Sequence, residues 1–220
     1  MSELLERDLG IFKKYQNLLN RINPNFIKNL IDETNKIEGW LCGYQIPLMW
    51  VIFSTLEGKA IEVGCWKGRA TYAFKSNIPK DQFELFCVDP FLGSAEHKDS
   101  LQGASTRADF EKNLKDSGIL DSISVIEKYS ADAAKDFEDN SLDLIFIDAE
   151  HDYENVKLDI LSWTPKLKSG GIIFGHDYPD PKIENAGFEG LAQAVNEEIR
   201  DSDKFSKFSY LFGIWGALKI

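Results

Sequence analysis

An open α/β sheet wound on both faces is the architecture this sequence predicts, on three observations. After Gly58, short apolar runs rich in β-branched residues alternate with longer segments of helical period, the pattern of βαβ units. Two of the runs, LDLIFID and GIIFG, are apolar at nearly every position, as central parallel strands covered on both faces must be. The final stretch, FSKFSYLFGIWGALKI, holds two more runs with no helix-length crossover between them, so these pair antiparallel.

In chain order, Leu5, Leu9, Phe12, Tyr15, Leu19 and Ile22 recur three or four residues apart and predict a helix over residues 4–22. Asn23 before Pro24 reads as an N-cap with proline at the first helical position. It opens a second helix that carries Phe26, Ile27, Leu30 and Ile31 and ends at Gly39. Residues 46–56, IPLMWVIFSTL, are apolar all round and predict a buried helix. Residues 1–57 thus form a helical extension packed on a domain spanning 58–220. Strands are expected over 60–64, 84–89, 122–127, 142–148 and 171–176. Helical segments are expected over 69–76, 107–117, 131–136, 153–161 and 188–200.

A chain of 220 residues, 43% of them hydrophobic, supports one substantial core. Cys42, Cys65 and Cys87 lie more than twenty residues apart and predict neither a zinc site nor a disulfide framework, which suits a reducing cytoplasm. The opening MSELLERDLG is acidic, and no long apolar stretch follows, so neither secretion nor a membrane partner is expected. A formal net charge of −11 repels phosphate backbones, which excludes nucleic acid in favour of a small-molecule partner. The N-terminal helices are expected to cover the partner's pocket or to form a homo-oligomer contact.

Ligands of an open parallel sheet bind beyond the carboxyl ends of its strands, where strand order reverses. The first strand runs into AIEVGCWKGRAT, with Glu62 inside the strand, Gly64 at its end and Gly68 where the next helix opens. Glycine there permits a tight turn, a close ligand and a helix start whose amides favour a carboxylate. Trp66 stands where a dinucleotide fingerprint needs its second glycine, which disfavours NAD(P) and an oxidoreductase. The second strand ends in CVDPF, placing Asp89 where it could accept hydrogen bonds from ribose hydroxyls or cap a loop. The fourth ends in FIDAEHDYE and gathers Asp148, Glu150, His151 and Asp152; the fifth ends in GHDYPD with His176, Asp177 and Asp180. Two such ends could hold a divalent cation or position a general base, with helix capping the competing reading for Asp152 and Asp180. His97, in SAEHKDS, reads as a solvated loop residue, and residues 179–190 as a lid or a plain surface loop.

The order EVGxxxG, VDP, FIDAEHDYE, PKLKSGGIIFGHDY resembles the class I S-adenosylmethionine (SAM)-dependent methyltransferases, in particular the small-molecule branch called methyltransferase family 24, over roughly residues 39–219. The resemblance implies a Rossmann-like seven-stranded sheet with strand seven antiparallel and SAM as cofactor. Glu62, Gly64, Cys65 and Gly68 match the loop that holds the amino-acid end of SAM, and Asp89 the residue that grips the ribose. EKYSADA resembles the adenine-reading motif, with Ser130 and Ala131 in it and Tyr129 where many relatives are acidic, leaving the adenine contact open between Tyr129, Ser130 and Asp132. Asp148, His176 and Asp177 match positions that hold magnesium or calcium in metal-using O-methyltransferases. The expected reaction is methyl transfer to a small-molecule hydroxyl, with His151 or Glu150 taking the acceptor proton. The rival reading is a SAM-binding scaffold without catalysis.

Overall fold

The computed structural model describes residues 10–97, 101, 103–179 and 187–220. Seven strands form one sheet: β1 (Gly58–Val63), β2 (Phe83–Val88), β3 (Ile123–Ile126), β4 (Leu142–Ile147), β5 (Leu167–Gly175), β6 (Phe205–Leu211) and β7 (Ile214–Lys219). Their order is β3-β2-β1-β4-β5-β7-β6. β1 to β5 are parallel; β7 runs antiparallel to both β5 and β6, as the uninterrupted C-terminal pair predicts. Strand order reverses between β1 and β4, and the loops leaving those two strands open the crevice described below.

Among the described residues the α-helices are α1 (Phe12–Leu19), α2 (Pro24–Thr34), α3 (Gln45–Ser54), α4 (Arg69–Lys75), α5 (Arg107–Asp116), α6 (Ser130–Ala133), α7 (Tyr153–Trp163) and α8 (Glu189–Val195). Strand alternation divides the core in two. Ala60, Leu144 and Phe146 face a layer built with α1–α5, where Phe53 stacks on Phe74 at 4.2 Å and Phe74 meets Phe146 edge-on at 4.9 Å. Ile61, Val63, Ile145 and Ile147 face α6–α8 with Val156, Ile160, Trp163 and Val195. Each such fully buried side chain contributes roughly 1.5–3 kcal/mol. The all-round apolar α3 is buried because α1, α2 and α4 enclose it.

Several boundaries differ from expectation. Residues 4–9 of the first expected helix lie outside the described residues, and α1 ends at Leu19, leaving Ile22 in the following turn. α2 has the expected Asn23 cap, whose side chain accepts from Asn25 N, but stops at Thr34, well short of Gly39. The Thr34 hydroxyl donates back to Leu30 O, and the backbone tightens into bonds from Lys36 N to Glu33 O and Ile37 N to Thr34 O. β5 begins at Leu167, several residues before Gly171. The expected 188–200 helix is α-helical only to Val195 and continues as a π-turn over Asn196–Arg200. Among the described residues no helix is long and apolar enough to cross a membrane.

Candidate active site

A cavity of about 620 Å³ opens beyond the carboxyl ends of β1, β2, β4 and β5, within the usual range for a small-molecule site. Its floor is the loop after β1. Gly64 has φ +88°, and a Cβ there would collide with the carbonyl oxygen of Asp148, so glycine is required by the close passage of two loops. Gly68, also at φ +88°, opens α4, and its bare Cα faces Phe110 and Leu114 of α5. It serves helix packing and does not line the cavity.

Glu62 does not line it either, contrary to the expected cofactor contact. On a strand whose Ile61 and Val63 face one layer, Glu62 must face the other. There it is fully buried, with Oε2 accepting from the Thr71 hydroxyl at 2.6 Å and Oε1 without a hydrogen-bond partner. Burial pushes its carboxyl up to about 8, with the nearby Asp148 and Asp89 adding to the effect against the Thr71 bond. Cys65 does line the cavity; it is buried, and burial pushes its thiol well up.

Asp89 lines the cavity as expected, with a task the sequence reading did not foresee. Its Oδ2 accepts from the amides of Cys65 at 2.7 Å and Trp66 at 2.8 Å, and its Oδ1 from Phe91 N at 2.5 Å. One carboxylate therefore ties the β1 loop to the β2 loop, and a ribose hydroxyl would have to share its oxygens. Burial raises its pKa against those three amides. Beyond β3, Tyr129, Ser130, Ala131 and Asp132 all reach the cavity, so the structure brings every candidate for the adenine contact to one end of it.

At the other end, Asp148, His151 and Asp177 place one donor atom each within 4.8 Å of one another. His151 Nε2 lies 3.1 Å from Asp177 Oδ2, and its ring stacks on Phe188 at 4.1 Å. His176, expected in this trio, is buried beneath it. Its Nδ1 is 3.1 Å from Asp177 Oδ1 and 3.8 Å from Asp148 Oδ1, in ion-pair range but without the alignment of a hydrogen bond. The reason is again alternation: the strand-end residue His176 turns inward, while Asp177, at φ +59°, turns outward. Burial lifts Asp148 to about 6, His176 lowering and Asp177 raising it. Burial would also raise Asp177, but His151 and His176 reverse this and hold it far below the carboxylate range. For His176, the two aspartates outweigh the burial that opposes protonation, and its pKa is raised.

Glu150 also lines the cavity, but its Oε2 accepts from Ala95 N at 3.2 Å, joining the segment after β2 to the loop after β4. His97 is no solvated loop residue: its ring lies 4.7 Å from Trp40 and 4.6 Å from Trp66, and Nδ1 is 2.6 Å from the Ser94 hydroxyl. These rings wall the cavity on the side of the N-terminal helices. Asp152 is the N-cap of α7, accepting from Asn155 N at 3.1 Å; Asp180 and most of the 179–190 loop lie outside the described residues. The sequence reading missed Asp159 and Leu158 of α7, both lining the cavity. Asp159 did carry a signal, since it shares a helix face with the buried Val156, Ile160 and Trp163.

The donor set of Asp148, His151 and Asp177, two carboxylates and an imidazole, fits a divalent cation, and its mixed oxygen and nitrogen character suits manganese or zinc better than magnesium. A second group, Glu62, Cys65 and Cys87, also converges but is fully buried, with both thiols pushed up by burial.

A curated relative, the uncharacterized protein y4gI of Sinorhizobium fredii, is 27% identical over 135 residues, 59% of this chain; the match spans only 14% of that protein's length. Among solved structures, a Corynebacterium glutamicum protein superposes with a TM-score of 0.63 at 14% identity, covering 94% of this chain and 96% of its own. An O-methyltransferase of Bacillus cereus in complex with S-adenosylhomocysteine (SAH) gives 0.61 at 14% identity, covering 96% and 98%. An SAH-bound methyltransferase of Podospora anserina gives 0.60 at 14% identity, covering 95% and 87%. At these identities the likeness shows the fold. The family model described as a methyltransferase domain matches residues 61–178, more than half of the chain, from the first core strand to the loop that carries Asp177. The chain therefore belongs to the methyltransferase domain family.

Proposed function

We propose that this protein is a SAM-dependent O-methyltransferase acting on a small-molecule hydroxyl. The observation that carries the reading is the position of Asp148, His151 and Asp177 in the same cavity as the loop of Gly64, Cys65 and Trp66 that Asp89 holds. Gly64, Cys65 and Trp66 would meet the amino-acid end of SAM, Asp89 the ribose, and Ser130 and Ala131 the adenine. The cavity is rich in carboxylates, which suits a cofactor with a cationic sulfonium, and the charge of −11 disfavours nucleic acid as acceptor. SAM supplies a methyl group already activated for displacement.

The remaining work falls to this chain's own groups. The contact of Nε2 with Asp177 and the stack on Phe188 orient the His151 ring, the side chain that would take the acceptor proton. Asp148, His151 and Asp177 are the residues that would hold a divalent cation, and with a cation bound His151 would serve as ligand in place of base while the cation acidified a bound hydroxyl. Glu150, bonded to Ala95 N, is better placed to fasten the segment after β2 than to act as base. Trp40, Trp66 and His97 line that flank of the cavity with aromatic rings packed on one another.

Isothermal titration with SAM and SAH, with and without manganese or magnesium and with NADH as control, tests the reading. Binding of both SAM and SAH is expected. Asp89→Asn can offer only one oxygen to three amide donors, so its SAH affinity should fall about 10- to 100-fold. SAH release from SAM in the presence of a panel of hydroxylated small molecules then tests transfer. Folded protein that binds neither SAM nor SAH would refute the proposal, and binding with no turnover on any acceptor would favour a scaffold.

A further inference from the structure

Cys65 and Cys87 stand too far apart in the sequence to suggest a metal site, yet the fold brings both to Glu62. Glu62 and Cys87 are register partners on the adjacent parallel strands β1 and β2, so their side chains lie together on one face of the sheet. The left-handed turn at Gly64 folds Cys65 back over the end of that face, where its Sγ is 3.7 Å from Glu62 O and 3.6 Å from Val88 O. One atom from each residue, two thiol sulfurs and a carboxylate oxygen, falls within 4.8 Å of the others, and all three residues are buried. Of the three, Cys65 alone lines the cavity.

We propose that Glu62, Cys65 and Cys87 form a site for a thiophilic divalent cation of the class of zinc, cobalt or cadmium, separate from the trio of Asp148, His151 and Asp177. Cys87 Sγ is 3.7 Å from Glu62 Oε2. With metal–sulfur bonds of about 2.3 Å and metal–oxygen bonds of about 2.0–2.2 Å, two tetrahedral ligands sit roughly 3.6–3.8 Å apart, so this pair already has the spacing such an ion requires. The remaining pairs would close by about 1 Å at most. The Thr71 hydroxyl donates to the same Oε2 at 2.6 Å and fixes the carboxylate, as outer-shell partners of metal ligands do. The other oxygen, Oε1, is buried without a hydrogen-bond partner, an acceptor that a cation would satisfy. Two sulfurs disfavour magnesium and calcium, which take oxygen ligands. Entry is by the cavity floor, where Cys65 forms part of the wall. In the ion-free protein burial keeps the carboxyl and both thiols protonated near neutral pH. A divalent charge in the same dry space reverses that preference, because a coordinated thiol gives up its proton. The ion would join β1 and β2 to the loop whose amides Asp89 holds.

Cobalt(II), a spectroscopic substitute for zinc, is titrated anaerobically into protein in which the exposed Cys42 is changed to serine, so that any sulfur-to-cobalt charge-transfer band comes from Cys65 or Cys87. The trio holds no sulfur and gives no such band. The band should develop and saturate in Cys42→Ser, and persist when His151→Ala is added. Adding Cys87→Ser should abolish it. Adding Glu62→Gln should shift its appearance to roughly 100-fold higher cobalt, since outer-shell changes alone typically cost 10- to 100-fold. Should the Cys87→Ser protein fail to fold, X-ray absorption at the zinc edge of zinc-loaded Cys42→Ser/His151→Ala protein counts the ligands directly, and two sulfurs at about 2.3 Å are expected. No band with cobalt in large excess, a band unaltered by Cys87→Ser or by Glu62→Gln, or zinc held through oxygen and nitrogen alone would overturn the proposal. None of these readouts involves SAM, so their failure leaves the methyltransferase reading untouched.

Discussion

Glu62 offers the sharpest physical test of the fold, because its effect can be worked out without knowing any substrate. In the unfolded chain a glutamate releases its proton near 4.5, whereas in the folded protein burial holds the proton to about 8. Between those values the folded state binds more protons than the unfolded one, so stability falls as pH rises, and the loss is complete only above the folded pKa. One pH unit across this window costs about 1.4 kcal/mol, so the interval from pH 4.5 to 7 removes about 3 kcal/mol. Since the side chain is fully buried, no allowance for solvent screening applies. Glu62→Gln keeps the shape and cannot ionise. Any difference in how well its amide and the carboxyl it replaces are satisfied is an offset that does not depend on pH. Urea denaturation of both proteins at about pH 4.5 and 7 isolates the titration: the variant should gain about 3 kcal/mol relative to wild type between the two values. An equal difference at both pH values would show that Glu62 does not retain its proton, and would refute its placement in a dry core behind the cavity.

Gly64→Ala should be costly on two counts, a left-handed backbone and a collision with the carbonyl of Asp148. We expect a loss of about 3 kcal/mol or more in denaturant titration, with SAH binding weakened in parallel; near-wild-type stability would contradict the loop geometry. Once an acceptor is identified, His151→Ala should lower turnover by roughly 10²- to 10⁴-fold with little change in SAH affinity. A wild-type turnover number would remove His151 from the proposed mechanism.

Local patterning determined much of this protein. Alternating short apolar runs and helical segments specified the parallel core, the uninterrupted C-terminal pair specified β6 and β7, and Asn23–Pro24 specified the start of α2. These are properties of neighbours along the chain, where residue chemistry and backbone conformation are coupled directly. The tertiary structure decided which strand-end residues face the cavity and which face the core. Glu62 and Gly68 stand in the right motif yet point away from the cavity, because strand alternation and the packing of α5 dictate their direction. Asp177 and not its neighbour His176 joins the open trio, since one residue's difference in position at a strand end exchanges the two faces. Asp159, Trp40 and His97 reach the site from elements far apart in sequence. Their convergence follows from the order in which strands pair and helices cover them, a long-range property that no window of sequence contains.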